Sequence, residues 1–241
     1  MPERYRLQVV EDADKLALAA AQWVVLTVQA RLQEVDRFSL VLSGGSTPQA
    51  LYLLLARYPY ANEIDWTRLH IFWGDERCVP PEHSQSNYRM ACQALLEHVP
   101  LPPEHIHRMR GELPPEEAAQ AYAQELAQFF GERQPQFDLV LLGMGADGHT
   151  ASLFPHSAAL KEIHKWVAAN FAPSQASWRI TLTIPALNAA RQVAFLVSGA
   201  DKASTLQRVL EGPYQPDELP AQFIQPAVWL VDAAAAHLLS R

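Results

Sequence analysis

Four short apolar runs, Phe38–Leu42, Leu69–Trp73, Phe137–Leu142 and Gln192–Val197, each meet a glycine within two residues of their end: Gly44, Gly74, Gly143 and Gly199. Apolar runs of this length suit strands that are covered on both faces, as in a parallel sheet. Helical patterns follow or intervene at Pro48–Arg57, Asn87–His98, Pro114–Phe130 and Lys202–Leu210, and weaker strand patterns lie at Tyr5–Val10, Trp166–Ala169, Arg179–Thr183 and Val228–Val231. Asp12 stands where it can cap a long helix from Ala13 to about Glu34, and Asp232 can cap a final one through Leu239. Strands alternating with helices predict a three-layer α/β fold, a mostly parallel sheet with helices on both faces, over residues 1–241 as a single domain. Ligands of such sheets bind beyond the carboxyl ends of the strands, so the glycine-ended loops are expected to share one crevice.

The formal charge of −7 argues against a nucleic-acid partner, which needs a basic face. A local basic cluster can still hold a small anion. Cys78 and Cys92 lack metal-site spacing and read as reduced thiols. The N-terminal stretch MPERYRLQVVED has no apolar core of a signal peptide, and Leu16–Ala30, interrupted by Gln22, Thr27 and Gln29, is too short to span a bilayer. The expectation is a cytoplasmic monomer with no membrane partner.

After the first run comes Ser43-Gly44-Gly45-Ser46-Thr47-Pro48. Paired glycines turn backbone N–H groups outward, Thr47 can cap, and Pro48 fits a first helical position. A helix N-terminus of this kind is an anion site, although the same residues also make a tight turn that only caps its helix. Lys202 after Gly199-Ala200-Asp201, and Arg179 at the start of an apolar run, are either solvated cations or the neutralising partners of such an anion.

The third run continues as Gly143-Met144-Gly145-Ala146-Asp147-Gly148-His149-Thr150. Gly143, Gly145 and Gly148 spell GxGxxG, but Pro155 follows where a dinucleotide site needs a long helix, so no nicotinamide cofactor is expected. Asp147 and His149 can instead form a general base with its orienting carboxylate, or the histidine can serve the loop's backbone. The second run ends in Gly74-Asp75-Glu76-Arg77. These charges are either a surface ion cluster or a fixed arginine donor oriented by Asp75 and Glu76. Ser86 is placed to cap the helix that follows.

Together the blocks LSGGSTP, FWGDERCVPPEHSQSNYRM, DLVLLGMGADGHTASLFP, RITLT and VSGADKA, in this order along the chain, resemble the 6-phosphogluconolactonase family within the glucosamine-6-phosphate isomerase/deaminase-like superfamily. The resemblance implies that superfamily's α/β fold and hydrolysis of a phosphorylated sugar lactone of the pentose phosphate pathway; this scheme requires no metal or cofactor, and the sequence shows no convincing ligand cluster. It implies phosphate contacts from Ser43, Gly44, Gly45, Ser46 and Thr47 with Arg179 and Lys202, and a catalytic role for His149. Asp147 would then orient the imidazole, and Arg77 would stabilise charge at the carbonyl or bind ring oxygens. The deaminases of the superfamily carry a glutamate before the proline of the His149 loop. Here Ser152-Leu153-Phe154-Pro155 has none, which favours the lactonase. Phe171–Trp178 is the least family-like stretch and is assigned no function.

Overall fold

The computed structural model describes residues 5–131, 133–225 and 227–240; residues 1–4, at the head of the charged N-terminal stretch, lie outside them. The chain runs β1 (Tyr5–Val10), α1 (Ala13–Leu32), β2 (Phe38–Leu42), α2 (Ser46–Leu55), α3 (Tyr60–Glu63), β3 (Leu69–Trp73), β4 (Asp75–Arg77), α4 (Asn87–Ala94) and α5 (Pro115–Phe130). It continues with β5 (Leu139–Leu142), β6 (Val167–Ala172), β7 (Ser177–Leu182), α6 (Ile184–Asn188), β8 (Gln192–Val197), α7 (Ala203–Glu211), β9 (Ala227–Asp232) and α8 (Ala233–Ala236).

Six strands form one parallel sheet in the order β1-β9-β8-β5-β2-β3. Every residue of β2 and β5 is buried; β5 is accordingly apolar throughout, and the one polar residue of β2, Ser39, donates its hydroxyl to the Asp138 carboxylate. Helix α1 turns Leu16, Ala20, Val24 and Val28 inward, and the Asp12 carboxylate accepts the Lys15 N–H at its start. No helix among the described residues is long and apolar enough to cross a membrane.

Several local expectations shift. Helix α2 opens at Ser46, so Thr47 is not its cap: Gly45, at φ 107°, makes the turn itself and its carbonyl accepts the Gln49 N–H. Helix α4 stops at Ala94 because Leu95 leaves helical geometry, and a 3₁₀ turn takes over at Leu96–His98. Asp232 caps α8 as expected, but α8 ends at Ala236, where the Leu239 N–H bonds the Ala236 carbonyl in a tighter turn.

The largest departure concerns β6 and β7, which leave the parallel sheet and form a separate antiparallel one in the order β4-β7-β6. Its third member, Asp75–Arg77, reads as a charged loop in the sequence. Gly74 is the joint. Its N–H bonds the Leu42 carbonyl of the parallel sheet, and its carbonyl accepts the Leu182 N–H of the antiparallel one.

Two buried tyrosines finish the strand ends beside this joint. The Tyr52 hydroxyl of α2 accepts the Ser43 N–H (2.8 Å) and donates to the Ser43 carbonyl (2.9 Å). The Tyr122 hydroxyl of α5 makes the same pair of bonds with Trp73, at 3.0 and 3.3 Å. Both groups would otherwise be costly buried orphans.

Away from the rim, three histidines pack beside α5. Glu125 lies 2.7 Å from Nδ1 of His107, whose Nε2 lies 3.1 Å from Nδ1 of His70, and the His105 ring lies over His70 with centroids 3.8 Å apart. With the carboxylate accepting from Nδ1 of a neutral His107, its Nε2 accepts the hydrogen bond from Nδ1 of His70. The His70 pKa is lowered to about 4, first by burial and then by His105, His107 and Arg37. The unfolded chain takes up this proton near an ordinary histidine value of about 6.5 and so binds more protons than the native state between that pH and 4. The stabilisation is therefore complete above the window and lost as pH falls through it. Thermal unfolding midpoints are expected to drop between pH 7 and 5, with a shallower slope in His70→Asn; an unchanged slope would contradict the assignment.

Candidate functional site

The carboxyl ends of β2, β5 and β8 meet the small sheet around a cleft of about 250 Å³. Ser43, Gly44, Gly45, Asp75, Arg77, His149, Arg179 and Lys202 all line it, although they come from segments far apart in the chain. Ser46 and Thr47 form the first turn of α2 just outside this lining, while Glu76 and Asp147 stand behind it.

Strand register explains the cations. Arg77 and Arg179 are direct partners across the antiparallel β4–β7 pair. Like charges in that position repel, so the pairing is unfavourable unless an anion sits between them. Arg179 is 4% exposed, and its pKa is lowered first by burial and then by the charge of Arg77. Among the described residues neither guanidinium has a carboxylate within ion-pair distance. Arg77 Nη1 instead donates to the Gln85 carbonyl at 2.6 Å.

This arrangement corrects the expectation that Asp75 and Glu76 orient the Arg77 side chain. The buried Glu76 carboxylate accepts from the backbone N–H groups of Arg77 (2.8 Å), Asn87 (2.7 Å) and Tyr88 (2.7 Å) and from the Ser86 hydroxyl (3.1 Å). It closes the loop between β4 and α4. Burial, the largest influence, raises its pKa although those backbone donors pull the other way. Asp75 accepts from the Ser152 hydroxyl at 2.6 Å, and Asn87 donates to the Asp75 carbonyl at 2.9 Å. Ser86 also caps α4 as expected, accepting the Arg89 N–H.

In the loop after β5 the Asp147 carboxylate lies 2.5 Å from Nδ1 of His149 and also accepts the His149 N–H at 3.2 Å. Partial burial, the largest influence, pushes the Asp147 pKa up, but the bonds and charge of His149 together bring it below its ordinary value. An ionised Asp147 keeps the proton on Nδ1 and leaves Nε2 with its lone pair. The imidazole leans on Phe154, with ring centroids 4.6 Å apart. It also passes so close to Gly145 that a Cβ there would stand 2.1 Å from Nδ1. No long helix follows Gly148; the loop folds through a bridge between Thr150 and Leu153, which removes the geometry a dinucleotide requires.

Lys202 ends a 3₁₀ turn, Ala200–Lys202, and its Nζ lies 3.1 Å from the Asp201 carboxylate. The Asp232 carboxylate fixes this loop by accepting from the Ser198 hydroxyl and the Gly199 N–H. Among the described residues no group of three or more His, Cys, Asp or Glu is placed to hold a metal ion. An imidazole that shares a cleft with fixed cations can take a proton from water while charge develops nearby.

Other residues at this site escaped the sequence reading. Asn87, Ser152 and Gln175 also line the cleft, and Gln175 belongs to the stretch that was assigned no function. Asn170 of β6 supports the His149 loop by donating to the Ser152 carbonyl at 2.8 Å. Short polar side chains of this kind gave no signal of their own; only the helix cap at Ser86 marked the neighbourhood of Asn87.

Residues 11–231 match the family described as glucosamine-6-phosphate isomerases/6-phosphogluconolactonase. A 6-phosphogluconolactonase of Synechocystis sp. is 42% identical, covering 90% of both chains. One of Nostoc sp. is 39% identical over 97% of this chain and 98% of its own. Among solved structures, the 6-phosphogluconolactonase from Trypanosoma cruzi superposes with a TM-score of 0.88 at 30% identity, covering 100% of this chain and 99% of that one.

The Glu76 clamp is open to a direct test. Glu76→Ala removes the acceptor of several buried N–H groups and is expected to cost about 3 kcal/mol or more in denaturant unfolding. A loss below about 1 kcal/mol would mean that those donors do not depend on the carboxylate.

Proposed function

Because the chain belongs to the family of glucosamine-6-phosphate isomerases and 6-phosphogluconolactonases, we propose that it hydrolyses 6-phospho-D-glucono-1,5-lactone to 6-phosphogluconate. The observation that carries this reading is the register pair Arg77 and Arg179, a repulsive arrangement that lines the same cleft as an Asp147-held imidazole. A phosphorylated ester supplies both things such a cleft lacks, an anion and an electrophilic carbon.

In the proposed reaction, Nε2 of His149 takes a proton from water as its oxygen attacks the lactone carbonyl. The carbonyl electrons move onto oxygen, where Arg77 stabilises the charge. Collapse of this intermediate breaks the bond to the ring oxygen, which leaves with the proton returned by His149. Asp147 holds the tautomer throughout and stabilises the transient imidazolium. The substrate phosphate sits against the Ser43–Gly44–Gly45 turn and the first turn of α2, neutralised by Arg179 and Lys202. Binding energy at this remote group positions the carbonyl.

The family's description includes isomerases, whose chemistry moves protons between adjacent carbons. Here Ser152-Leu153-Phe154 offers no carboxylate beside His149, and the Ser152 hydroxyl is committed to Asp75. That supports the hydrolytic reading.

The test generates the lactone in situ from glucose 6-phosphate and follows its decay with and without the protein. His149→Ala is expected to lower turnover by about 10²–10⁴-fold. Arg179→Ala and Lys202→Ala are expected to raise KM more than they lower kcat. An unchanged rate in His149→Ala would overturn the base assignment, and release of ammonia from glucosamine 6-phosphate would overturn the hydrolytic one.

A further inference from the structure

The tip of the β6–β7 hairpin reaches into the cleft. It is a 3₁₀ turn, Pro173–Gln175, followed by Ala176 at φ 47°, which sends the chain back into β7. Phe171 and Trp178 brace the two arms as register partners, with their rings edge to face at 5.5 Å. Gln175 is exposed at the cleft's rim, and its side-chain oxygen accepts a hydrogen bond from Nη2 of Arg179. The other bond of that guanidinium goes to the Trp178 carbonyl at 3.4 Å.

We propose that Gln175 is a positioning residue for the anion site: it aims the Arg179 guanidinium into the cleft while leaving its charge free for the substrate's phosphate. The proposal rests on the reading of Arg179 as a phosphate ligand. A buried guanidinium needs acceptors for its N–H groups, and a carboxylate is the strongest partner for them. A carboxylate at this place would also cancel the charge and compete with any incoming anion. An amide oxygen satisfies the donor without doing so. Gln175 also reaches Arg179 from only four residues away, across the turn of one hairpin, so the tip and the cation move as a unit.

The charge at position 175 should therefore set the affinity for phosphorylated ligands and leave the chemical step alone. Kinetics on the lactone generated in situ, with inorganic phosphate as a competing probe, separate the possibilities. Gln175→Glu installs a charged partner for Arg179 and is expected to raise KM and the phosphate inhibition constant by about 10-fold or more. Gln175→Ala removes a neutral acceptor and is expected to raise both by about 3-fold. In each case the effect falls on KM rather than kcat. The Gln175→Glu penalty should shrink as the pH is lowered towards carboxylate protonation, which a merely structural lesion would not produce. Against an Arg179→Ala background neither change should matter further.

Equal KM for Gln175→Glu and the parent, where Arg179→Ala raises it, would overturn the proposal and leave the phosphate reading intact. An unmoved KM in Arg179→Ala itself would instead remove that reading, and the proposal with it. Should Gln175→Glu fail to fold, the Gln175→Ala and Arg179→Ala double-mutant cycle decides: additive effects on KM overturn the proposal, and non-additive effects support it.

Discussion

Both backbone groups of Gly74 are spoken for, one by the parallel sheet at Leu42 and the other by the antiparallel sheet at Leu182. Through this joint a strand that would have run on past the sheet edge is turned into the first strand of a second sheet. The consequence is positional. Asp75–Arg77 comes to lie beside Ser177–Leu182, and Arg77 falls opposite Arg179 at the carboxyl rim, where the turn after β2 already presents its amides. Without that joint Arg77 and Arg179 would not join the turn and the imidazole in one cleft.

The electrostatics of the cleft then follow from a division of labour among its acidic residues. Glu76 faces inward and binds backbone, Asp75 binds Ser152, Asp147 holds His149, and Asp201 sits beside Lys202. None of them lies within ion-pair distance of Arg77 or Arg179. Acidic side chains thus build the frame of a site whose open face is positive, in a chain whose formal charge is −7. Local arrangement overrides the global sign because fields from fixed charges are felt most strongly at short range.

Much of this was legible in the sequence. The apolar runs marked β2, β3 and β8 to the residue, because strands covered on both faces are built mostly from apolar side chains. The glycines after them marked the rim. The juxtaposition of Arg77 with Arg179 was not legible, since it depends on an antiparallel register between segments about a hundred residues apart, and Asp75-Glu76-Arg77 carries no strand signal at all. Glu76 was misjudged for a related reason: a carboxylate next to an arginine in sequence points to the opposite side in a strand. Gln175 lay in a stretch without motif, and only the hairpin geometry gives it a partner.

The hydroxyl groups of Tyr52 and Tyr122 have a mechanical consequence. Each one grips both the amide and the carbonyl of a strand-end residue, Ser43 or Trp73, from a helix instead of a neighbouring strand. The strand ends behind the cleft are thereby yoked to α2 and α5. A slide of either helix along the sheet would drag its strand end with it, so the two cannot be displaced separately. The hairpin carrying Gln175 is held differently, by the pairing of β7 with β4 and by Asn170 of β6 on the His149 loop, so its tip is free of either helix's slide.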